Sequence, residues 1–352
     1  MRKIKLVAIF IITLTVVHAQ KQPKNVVFII GDGMGLAHIY AGMVANGNQL
    51  QMERFKNVGF SKTYSANNFT TDSGAGGTAL ACGVKAKNGM IGMTPDSVAA
   101  QSILEVAEKN GLSTGMVAAC DITHATPASF IAHQVSRKMT EEIASDFLKT
   151  DIDVFIGGGR KNFEKRIDNR NLTNELKVKG YNIAYTLDDV KKIKSGKLAA
   201  MLNDEHIPAY PERGDMLPEA SVAALDILDN NKNGFFMMIE GSQIDWAAHN
   251  NDAEQIAKEV IDLDKTIGKV LDFAEKNKNT LVIVTADHET GGFTLPKGNM
   301  AKKEFTGAFS TKDHSGVLVP VFSFGPGAEN FTGFMENTSF KNKLIKLLKL
   351  KN

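Results

Sequence analysis

Acidic and imidazole side chains that could bind a metal ion recur at the ends of apolar stretches. They are Asp32 in GDGMG after NVVFII (25–30), Glu240 at the end of FFMMIE (235–240), and Asp287-His288 after TLVIVT (280–285). Because loops at the carboxyl ends of parallel strands meet at one edge of a sheet, we expect these side chains to lie close together. An aspartate inside a phosphate-binding glycine loop would repel the phosphate. GDGMG therefore favours a cation site over a dinucleotide loop, with an ordinary strand-to-helix turn as the alternative.

A second set of candidate metal ligands involves a predicted helix. In EGSQIDWAAH (240–249), Asp245 and His249 are four residues apart, so a helix would place both on one face, where they could bind Zn²⁺. Taken alone, this spacing also fits an exposed helix face. His314 precedes another apolar stretch (317–325) and adds a further imidazole. Ordinary core or surface roles are assigned to His38, His133 and His206.

A hydroxyl and an arginine suited to phosphate chemistry complete the candidate site. In FTTDSGAGGTALACG (69–83), Ser73 begins a helix-like stretch of small residues, and a helix N-terminus stabilises an alkoxide or a phosphate. The glycines are expected to let backbone and ligand approach closely, although Asp72-Ser73 could also be a plain N-cap. A serine needs a metal or a base to become nucleophilic. In DITHATPASFIAHQVSR (121–137), which also contains His124 and Thr126, Arg137 offers a planar donor fork for two phosphate oxygens.

The apolar stretches alternate with helical patterns. Helices are predicted over 97–111 and 252–277, between β-branched stretches that predict strands. This alternation indicates an α/β fold with a largely parallel central sheet. Residues 20–352 are predicted to form one domain, in which about 160–217 is a charged, irregular excursion with a short strand at YNIAYT (181–186).

The N-terminus has the pattern of an export signal. Arg2, Lys3 and Lys5 precede an apolar stretch (6–17), and Val17-His18-Ala19 fits cleavage before Gln20. An uncleaved anchor helix is the alternative, but the stretch is shorter than the roughly 20 residues that span a bilayer. Residues 1–19 are therefore predicted to be a signal peptide, and the mature protein to be periplasmic or secreted.

Net charge, the C-terminal segment and the number of cysteines bear on possible partners and on disulfide bonds. Removal of residues 1–19 changes the net charge from +2 to −1, so nothing in the charge favours nucleic acid as a partner. The C-terminal FKNKLIKLLKLKN (340–352) is interpreted as a helix that docks its apolar side on the domain, with a membrane-surface role as the alternative. Two cysteines, Cys82 and Cys120, are too few for a disulfide framework, and their pairing stays open.

Six motifs, spread over about residues 25–325, together resemble the alkaline phosphatase family. They are GDGMG, TDSGAGGTA, THATPASFIAHQVSR, EGSQIDWAAH, TADHETGG and DHSG, in this order. The resemblance implies the alkaline-phosphatase-like α/β fold, with a metal site at the carboxyl ends of the strands. It also implies hydrolysis of small phosphate monoesters through a phosphoserine intermediate, with two Zn²⁺ and one Mg²⁺ as cofactors.

The resemblance further implies a role for each matching residue. One zinc would be held by Asp245, His249 and His314, the other by Asp32, Asp287 and His288 together with the nucleophile Ser73, and the magnesium by Asp32, Thr126 and Glu240. Arg137, His124 and Trp246 would contact the phosphate. His124 and Trp246 stand where the best-known bacterial type has Asp and Lys, which bears on the third metal. A homodimer stays open, although only 25 residues separate His288 from His314, leaving little room for the interface insertion of some members.

Other enzymes with the same superfold are phosphodiesterases, sulfatases and cofactor-independent phosphoglycerate mutases, and these are the alternative functions. The sulfatase pattern is absent around Ser73, an export signal disfavours a glycolytic mutase, and Thr126 with Glu240 favours monoesters over diesters. A zinc- or phosphate-binding protein without catalysis is the alternative from a different class. It predicts a missing nucleophile or ligand, and none is missing from these motifs.

Overall fold

The computed structural model describes residues 22–351, so the predicted signal peptide lies outside the described residues. The strands are β1 (Asn25–Gly31), β2 (Asn57–Lys62), β3 (Ser113–Asp121), β4 (Val154–Gly158), β5 (Tyr181–Ala184), β6 (Lys197–Met201), β7 (Phe235–Gly241), β8 (Thr280–Thr285), β9 (Glu289–Thr290), β10 (Phe293–Asn299), β11 (Glu304–Phe309), β12 (His314–Ser315), β13 (Val319–Phe324) and β14 (Gly333–Glu336). The helices are α1 (Leu36–Ala45), α2 (Ser73–Cys82), α3 (Ile103–Lys109), α4 (Ala125–Ala128), α5 (Thr140–Asp146), α6 (Arg160–Glu164), α7 (Leu172–Val178), α8 (Leu187–Lys192), α9 (Met216–Leu228), α10 (Gln243–His249), α11 (Ala253–Asn277) and α12 (Ser339–Leu348).

Ten strands form one central sheet in the order β14-β2-β13-β8-β1-β7-β3-β4-β6-β5. Only β13 runs antiparallel to its neighbours, β2 and β8. The prediction of an α/β fold with a largely parallel sheet is therefore confirmed. Two small antiparallel pairs, β10 with β11 and β9 with β12, lie outside the central sheet.

The central strands are buried on both faces, which explains why their sequences are continuously apolar rather than alternating. Along β1, Val27 and Ile29 pack with residues of α1, α9 and α11, whereas Val26, Phe28 and Ile30 pack with residues of α2, α3 and α12. Helices thus cover both sides of the sheet. This burial holds the carboxyl ends of the central strands in fixed relative positions.

The helix predicted over 97–111 is shorter than expected, since α3 begins only at Ile103. The Ser102 hydroxyl accepts a hydrogen bond from the Glu105 N–H at 3.1 Å, and the Glu105 carboxylate accepts one from the Ser102 N–H at 2.7 Å. This capping box starts the helix at that point. The helix predicted over 252–277 is confirmed as α11, which Asp252 caps.

The segment 160–217 is more regular than its sequence suggested. It contains α6, α7 and α8, and its strands β6 and β5 extend the central sheet at one edge, next to β4. The strand predicted within YNIAYT is observed as β5. The assignment of residues 20–352 to one domain stays a prediction.

The C-terminal helix docks on the sheet, as its pattern of apolar residues indicated. Phe340 and Leu344 of α12 are fully buried, and the Phe340 ring meets the Phe28 ring edge-on at 5.5 Å between centroids. Lys346 of the same helix is exposed. Between residues 22 and 351, the structure contains no helix whose length and apolarity would let it cross a membrane.

We expect Phe340→Ala to lower the free energy of unfolding by about 3–5 kcal/mol, because it leaves a cavity in the core beneath the sheet. Urea unfolding followed by circular dichroism measures this change. Lys346→Ala on the exposed side of α12 is the matched control and should change the stability by less than about 0.5 kcal/mol. Equal effects of the two substitutions would contradict the docking of α12.

Candidate active site

The predicted site residues converge at the carboxyl ends of four neighbouring strands, β8, β1, β7 and β3. Asp32 follows β1, Glu240 lies at the end of β7, and Asp287-His288 follow β8. The loop after β3 leads into α4, which brings His124 and Thr126 to the same edge. Strand order thus collects side chains that are far apart in sequence, as expected for an α/β sheet.

The first group of candidate ligands, called the β1–β8 cluster, consists of Asp32, Asp287 and His288. His288 Nε2 lies 3.3 Å from a carboxylate oxygen of each aspartate, and all three side chains are buried. Ser73 Oγ lies 3.3 Å from the same nitrogen. Among the described residues, Asp32 Oδ1 and Asp287 Oδ2 have no hydrogen-bond partner. Buried carboxylate oxygens without partners are costly, and a bound cation would compensate them.

The second group, called the α10 cluster, consists of Asp245, His249 and His314. Helix α10 places Asp245 and His249 on one face, with His249 Nε2 3.4 Å from Asp245 Oδ2. His314 lies in β12, which pairs with β9 and so carries the imidazole over the site, with Nε2 3.6 Å from Asp245 Oδ1. The His314 ring stacks on the His288 ring at 3.6 Å, so this cluster adjoins the β1–β8 cluster.

Hydrogen bonds fix the orientation of both histidines of the α10 cluster. His249 Nδ1 contacts the carbonyl oxygen of Lys312, and His314 Nδ1 contacts that of Thr71 at 2.7 Å. A carbonyl oxygen can only accept, so each Nδ1 must carry the proton. The two Nε2 atoms then face each other at 3.2 Å. As neutral imidazoles, the two histidines would present Nε2 lone pairs to a shared cation, and a hydrogen bond from Nδ1–H to an oxygen is typical of histidines that bind metals.

The third group, called the β3–β7 cluster, consists of Cys120, His124 and Glu240. It adjoins the β1–β8 cluster, because Thr126 Oγ1 donates to Asp32 Oδ2 at 3.4 Å. Cys120 Sγ lies 3.1 Å from the Asp121 carbonyl oxygen and 3.4 Å from Glu240 Oε2, so its single S–H can donate to either. Glu240 Oε1 is buried without a partner in the part of the chain that the structure describes. Cys120 was not among the site residues expected from the sequence.

Crowding of buried carboxyl groups raises their pKa values. Burial and the carboxylates of Asp287 and Asp245 raise the pKa of Asp32 well above its ordinary value. Burial and Asp245 raise the pKa of Asp287 to about 8, and burial raises that of Glu240 to about 7. Protons and metal ions therefore compete for these oxygens.

Asp245 and His249 form an ion pair, so the pKa of the Asp245 carboxyl group is lowered rather than raised. Burial raises the pKa of Asp245, but the hydrogen bond from His249 and the charges of neighbouring histidines outweigh it and bring this pKa below the ordinary value. The hydrogen bond to Asp245 raises the pKa of His249 to about 9. In the β1–β8 cluster, burial and His314 lower the pKa of His288, which keeps that imidazole neutral and able to bind a metal.

Ser73 is the first residue of α2, and Asp72 caps that helix by accepting from the Ala75 N–H at 2.9 Å. The glycines that follow contact protein, not an open ligand site as the sequence suggested. A Cβ on Gly76 would lie 3.1 Å from the Asp287 backbone oxygen, and one on Gly77 would lie 2.9 Å from Ser129 Oγ. The small residues therefore let α2 pack directly on the loop that carries Asp287 and on α4.

Arg137 lies beside the N-terminus of α2. Its guanidinium donates to Asp72 Oδ2 at 3.1 Å and contacts His124 Nε2 at 3.3 Å. A cavity of about 370 Å³ opens here and is lined in part by Arg137 and His124. Trp246 is nearby, with its ring edge-on to His124 at 5.7 Å. Asp72 thus holds the arginine next to the serine, a role that its position as N-cap did not reveal in the sequence.

Two further residues at the site carried no usable sequence signal. Thr290 Oγ1 donates to Asp245 Oδ1 and accepts from His288 Nδ1–H at 3.2 Å, so one buried hydroxyl links two clusters. His206, interpreted from the sequence as an ordinary residue, lies 5.7 Å from the ring of His124 and 4.7 Å from that of Trp246. His38 and His133 do not belong to any of the three clusters.

The fold and these clusters together are those of an α/β protein in which a buried serine at a helix N-terminus adjoins side chains that could hold cations. Comparison with known proteins identifies the family. A family model described as alkaline phosphatase matches residues 23–306. The chain belongs to the alkaline phosphatase family and is a phosphatase, a hydrolase of phosphate monoesters.

Three relatives are similar over almost their whole length. The chain is 35% identical to alkaline phosphatase 4 of Bacillus subtilis (strain 168), with 94% of this chain and 91% of the relative covered. The solved structure of alkaline phosphatase from the Antarctic bacterium TAB5 is 41% identical, with a TM-score of 0.89 and coverage of 95% of this chain and 100% of that chain. A cold-active alkaline phosphatase from Shewanella sp. is 29% identical, with a TM-score of 0.85 and coverage of 92% and 99%.

Thr290→Val removes the hydroxyl that orients His288 and Asp245 while keeping the shape of the side chain. We expect zinc affinity to fall by about 10–100-fold, the loss that is typical when a hydrogen-bonding partner of a metal ligand is removed. Competition with a chromophoric chelator measures this affinity. Thr290→Ser retains the hydroxyl and should stay close to the wild-type affinity. Wild-type affinity in the valine variant would show that the link between the clusters has no role in metal binding.

Chelator-stripped protein should lose stability as the pH rises from 5 to 8. The folded chain keeps protons on Asp287 up to about pH 8 and on Glu240 up to about pH 7, whereas the unfolded chain releases them near 4. The folded state therefore binds more protons in this window, and its stability is lost as the pH passes through the raised pKa values. Urea midpoints measured at each pH test this, and Asp287→Asn should flatten the curve. A midpoint that rises with pH would contradict the pKa assignments.

Proposed function

We propose that this chain is an exported alkaline phosphatase that hydrolyses phosphate monoesters through a phosphoserine at Ser73. The observation that carries the proposal is the position of Ser73 Oγ, 3.3 Å from His288 Nε2 and at the first residue of α2. The serine is buried beside side chains suited to binding a cation that would lower its pKa. The predicted signal peptide supports export to the periplasm or outside the cell.

The donor sets of two clusters fit the zinc ions that the family implies. The α10 cluster, with two imidazoles and a carboxylate, would hold one Zn²⁺, and the β1–β8 cluster would hold a second together with Ser73. The third ion, Mg²⁺ by family resemblance, would lie between Asp32, Thr126 and Glu240. When bound, such ions supply positive charge that favours the serine alkoxide and stabilises the leaving oxygen.

The reaction proceeds in two displacements at phosphorus. Ser73 gives up its proton to solvent as Oγ forms a bond to phosphorus and the bond from phosphorus to the ester oxygen breaks. The leaving oxygen takes a proton and departs as the alcohol. Water then attacks the phosphoserine, the bond between Oγ and phosphorus breaks, and Ser73 regains a proton as inorganic phosphate leaves.

The chain's own residues orient the phosphate during both steps. Arg137, held by Asp72, would bind two non-bridging oxygens with its donor fork. The free N–H groups at the start of α2 face the same charge. His124 and Trp246 would contact the phosphate or its water shell. None of these groups binds the alcohol part of the substrate. We therefore expect the protein to accept many small monoesters. The charge of the mature chain gives no support to nucleic acid as a specific partner.

Hydrolysis of p-nitrophenyl phosphate by the mature, metal-replete protein tests the proposal, with bis-p-nitrophenyl phosphate measured in parallel. We expect monoester turnover and a loss of at least about a thousandfold in kcat for Ser73→Ala, since removal of a nucleophile eliminates the covalent route. Ser221→Ala in α9 is the matched control, because Ser221 is a buried serine that belongs to none of the clusters. It should keep the wild-type rate.

Three outcomes would overturn this proposal. Preference for the diester would assign the chain to the phosphodiesterase branch of the superfold. Binding of zinc and phosphate without turnover of either ester would make it a binding protein. Full activity in Ser73→Ala would exclude the phosphoserine route.

A further inference from the structure

The β3–β7 cluster contains a donor that a magnesium site does not use. Cys120 lies at the carboxyl end of β3 and is fully buried. Its Sγ is 3.4 Å from Glu240 Oε2, and the ligand atoms of Cys120, His124 and Glu240 all lie within 4.8 Å of one another. This spacing is compact enough for one ion to contact all three.

A further atom of this cluster supports a cation at that point. Glu240 is fully buried and its Oε1 has no hydrogen-bond partner among residues 22–351. Buried carboxylate oxygens normally have partners, so this one, next to a thiol, indicates a missing positive ligand. His124 Nε2 accepts from the Arg137 guanidinium, so Nδ1 carries the proton of the neutral imidazole, and His124 would bind the same ion through Nδ1 only as its other tautomer.

The identity of the donors selects the kind of ion. Mg²⁺ prefers oxygen ligands in octahedral geometry and keeps several of its waters. Thiolate and imidazole ligands favour Zn²⁺ and similar transition metals. A set of one sulfur, one nitrogen and one carboxylate oxygen therefore fits zinc better than magnesium.

We propose that Cys120 is a thiolate ligand of the third metal position, so that this position takes Zn²⁺ or Co²⁺ in preference to Mg²⁺. The proposal rests on the proposed function, since it concerns the third ion of the same site. Metal binding replaces the proton of the Cys120 thiol, which is released to solvent, and no oxidation or reduction takes place. Cys120 thereby joins the site as a ligand that the resemblance to the family did not assign.

The other cysteine provides a matched control. Cys82 is also a buried free thiol, at the end of α2, and like Cys120 it contacts a backbone carbonyl oxygen, that of Ser129 at 3.7 Å. It is not a member of any of the three clusters. A spectroscopic signal from a thiolate at the metal site should therefore depend on Cys120 and not on Cys82.

Cobalt substitution of the chelator-stripped mature protein tests the proposal without reference to activity. We expect the near-ultraviolet charge-transfer band of a cobalt thiolate to appear as the third equivalent of Co²⁺ binds. The band should persist in Cys82→Ala and disappear in Cys120→Ser, which has nearly the same shape and keeps a polar atom. Absence of the band from the wild type with three bound cobalt ions, or its persistence in Cys120→Ser, would overturn the proposal.

Metal analysis gives an independent measurement. After dialysis against excess Mg²⁺ with limiting Zn²⁺, the wild type should retain three zinc ions, whereas Cys120→Ser should exchange the third, with a loss in zinc affinity of more than about 10-fold. Retention of only two zinc ions by the wild type would contradict the proposal. Assays of p-nitrophenyl phosphate on the same samples separate the two ideas. Absence of turnover would overturn the proposed function, while the cobalt band still reports on Cys120.

Discussion

Repulsion between buried carboxylates is the constraint on which the arrangement of this protein depends. Asp32, Glu240 and Asp287 are buried together with Asp245 at one edge of the sheet, where desolvation and repulsion oppose the ionisation of the first three. Asp245 is ionised because His249 pairs with it. An uncompensated buried charge costs several kcal/mol by itself, so a set of four needs compensating cations. Nearby imidazoles compensate only part of this charge, and bound metal ions can compensate the rest. The apolar core on both faces of the sheet supplies the stability that holds these groups together.

The scaffold fixes the site by packing rather than by local sequence. The central strands set the positions of Asp32, Glu240 and Asp287, and the glycine-rich start of α2 lets the helix that carries Ser73 pack against the same loop. The pairing of β9 with β12 carries His314 over the site and places Thr290 between two clusters. A shift in the pairing of β9 with β12 would displace the ligand His314 and the Thr290 hydroxyl together. Nucleophile, ligands and supporting hydroxyl are thus parts of one packed unit.

The sequence predicted the sheet, the convergence of acids at its edge, and the helical pair Asp245 and His249, because each follows from a local pattern with known geometry. It did not predict the roles of Thr290 and Cys120, since a lone hydroxyl or thiol acquires a role only from neighbours that are distant in sequence. The helix predicted over 97–111 was too long because apolar spacing outweighed the capping signal at Ser102. The glycines after Ser73 were correctly singled out, but their neighbours are protein atoms.

The most direct test of this account is a crystal structure of the zinc-loaded protein with diffraction data collected at the zinc absorption edge. The account predicts one anomalous peak between Asp245, His249 and His314 and a second between Asp32, Asp287 and His288, close to Ser73 Oγ. It predicts that these peaks vanish in chelator-stripped crystals. Zinc found only at surface histidines, with the buried carboxylates protonated and both clusters free of anomalous signal, would contradict the claim that cations hold this edge of the sheet together.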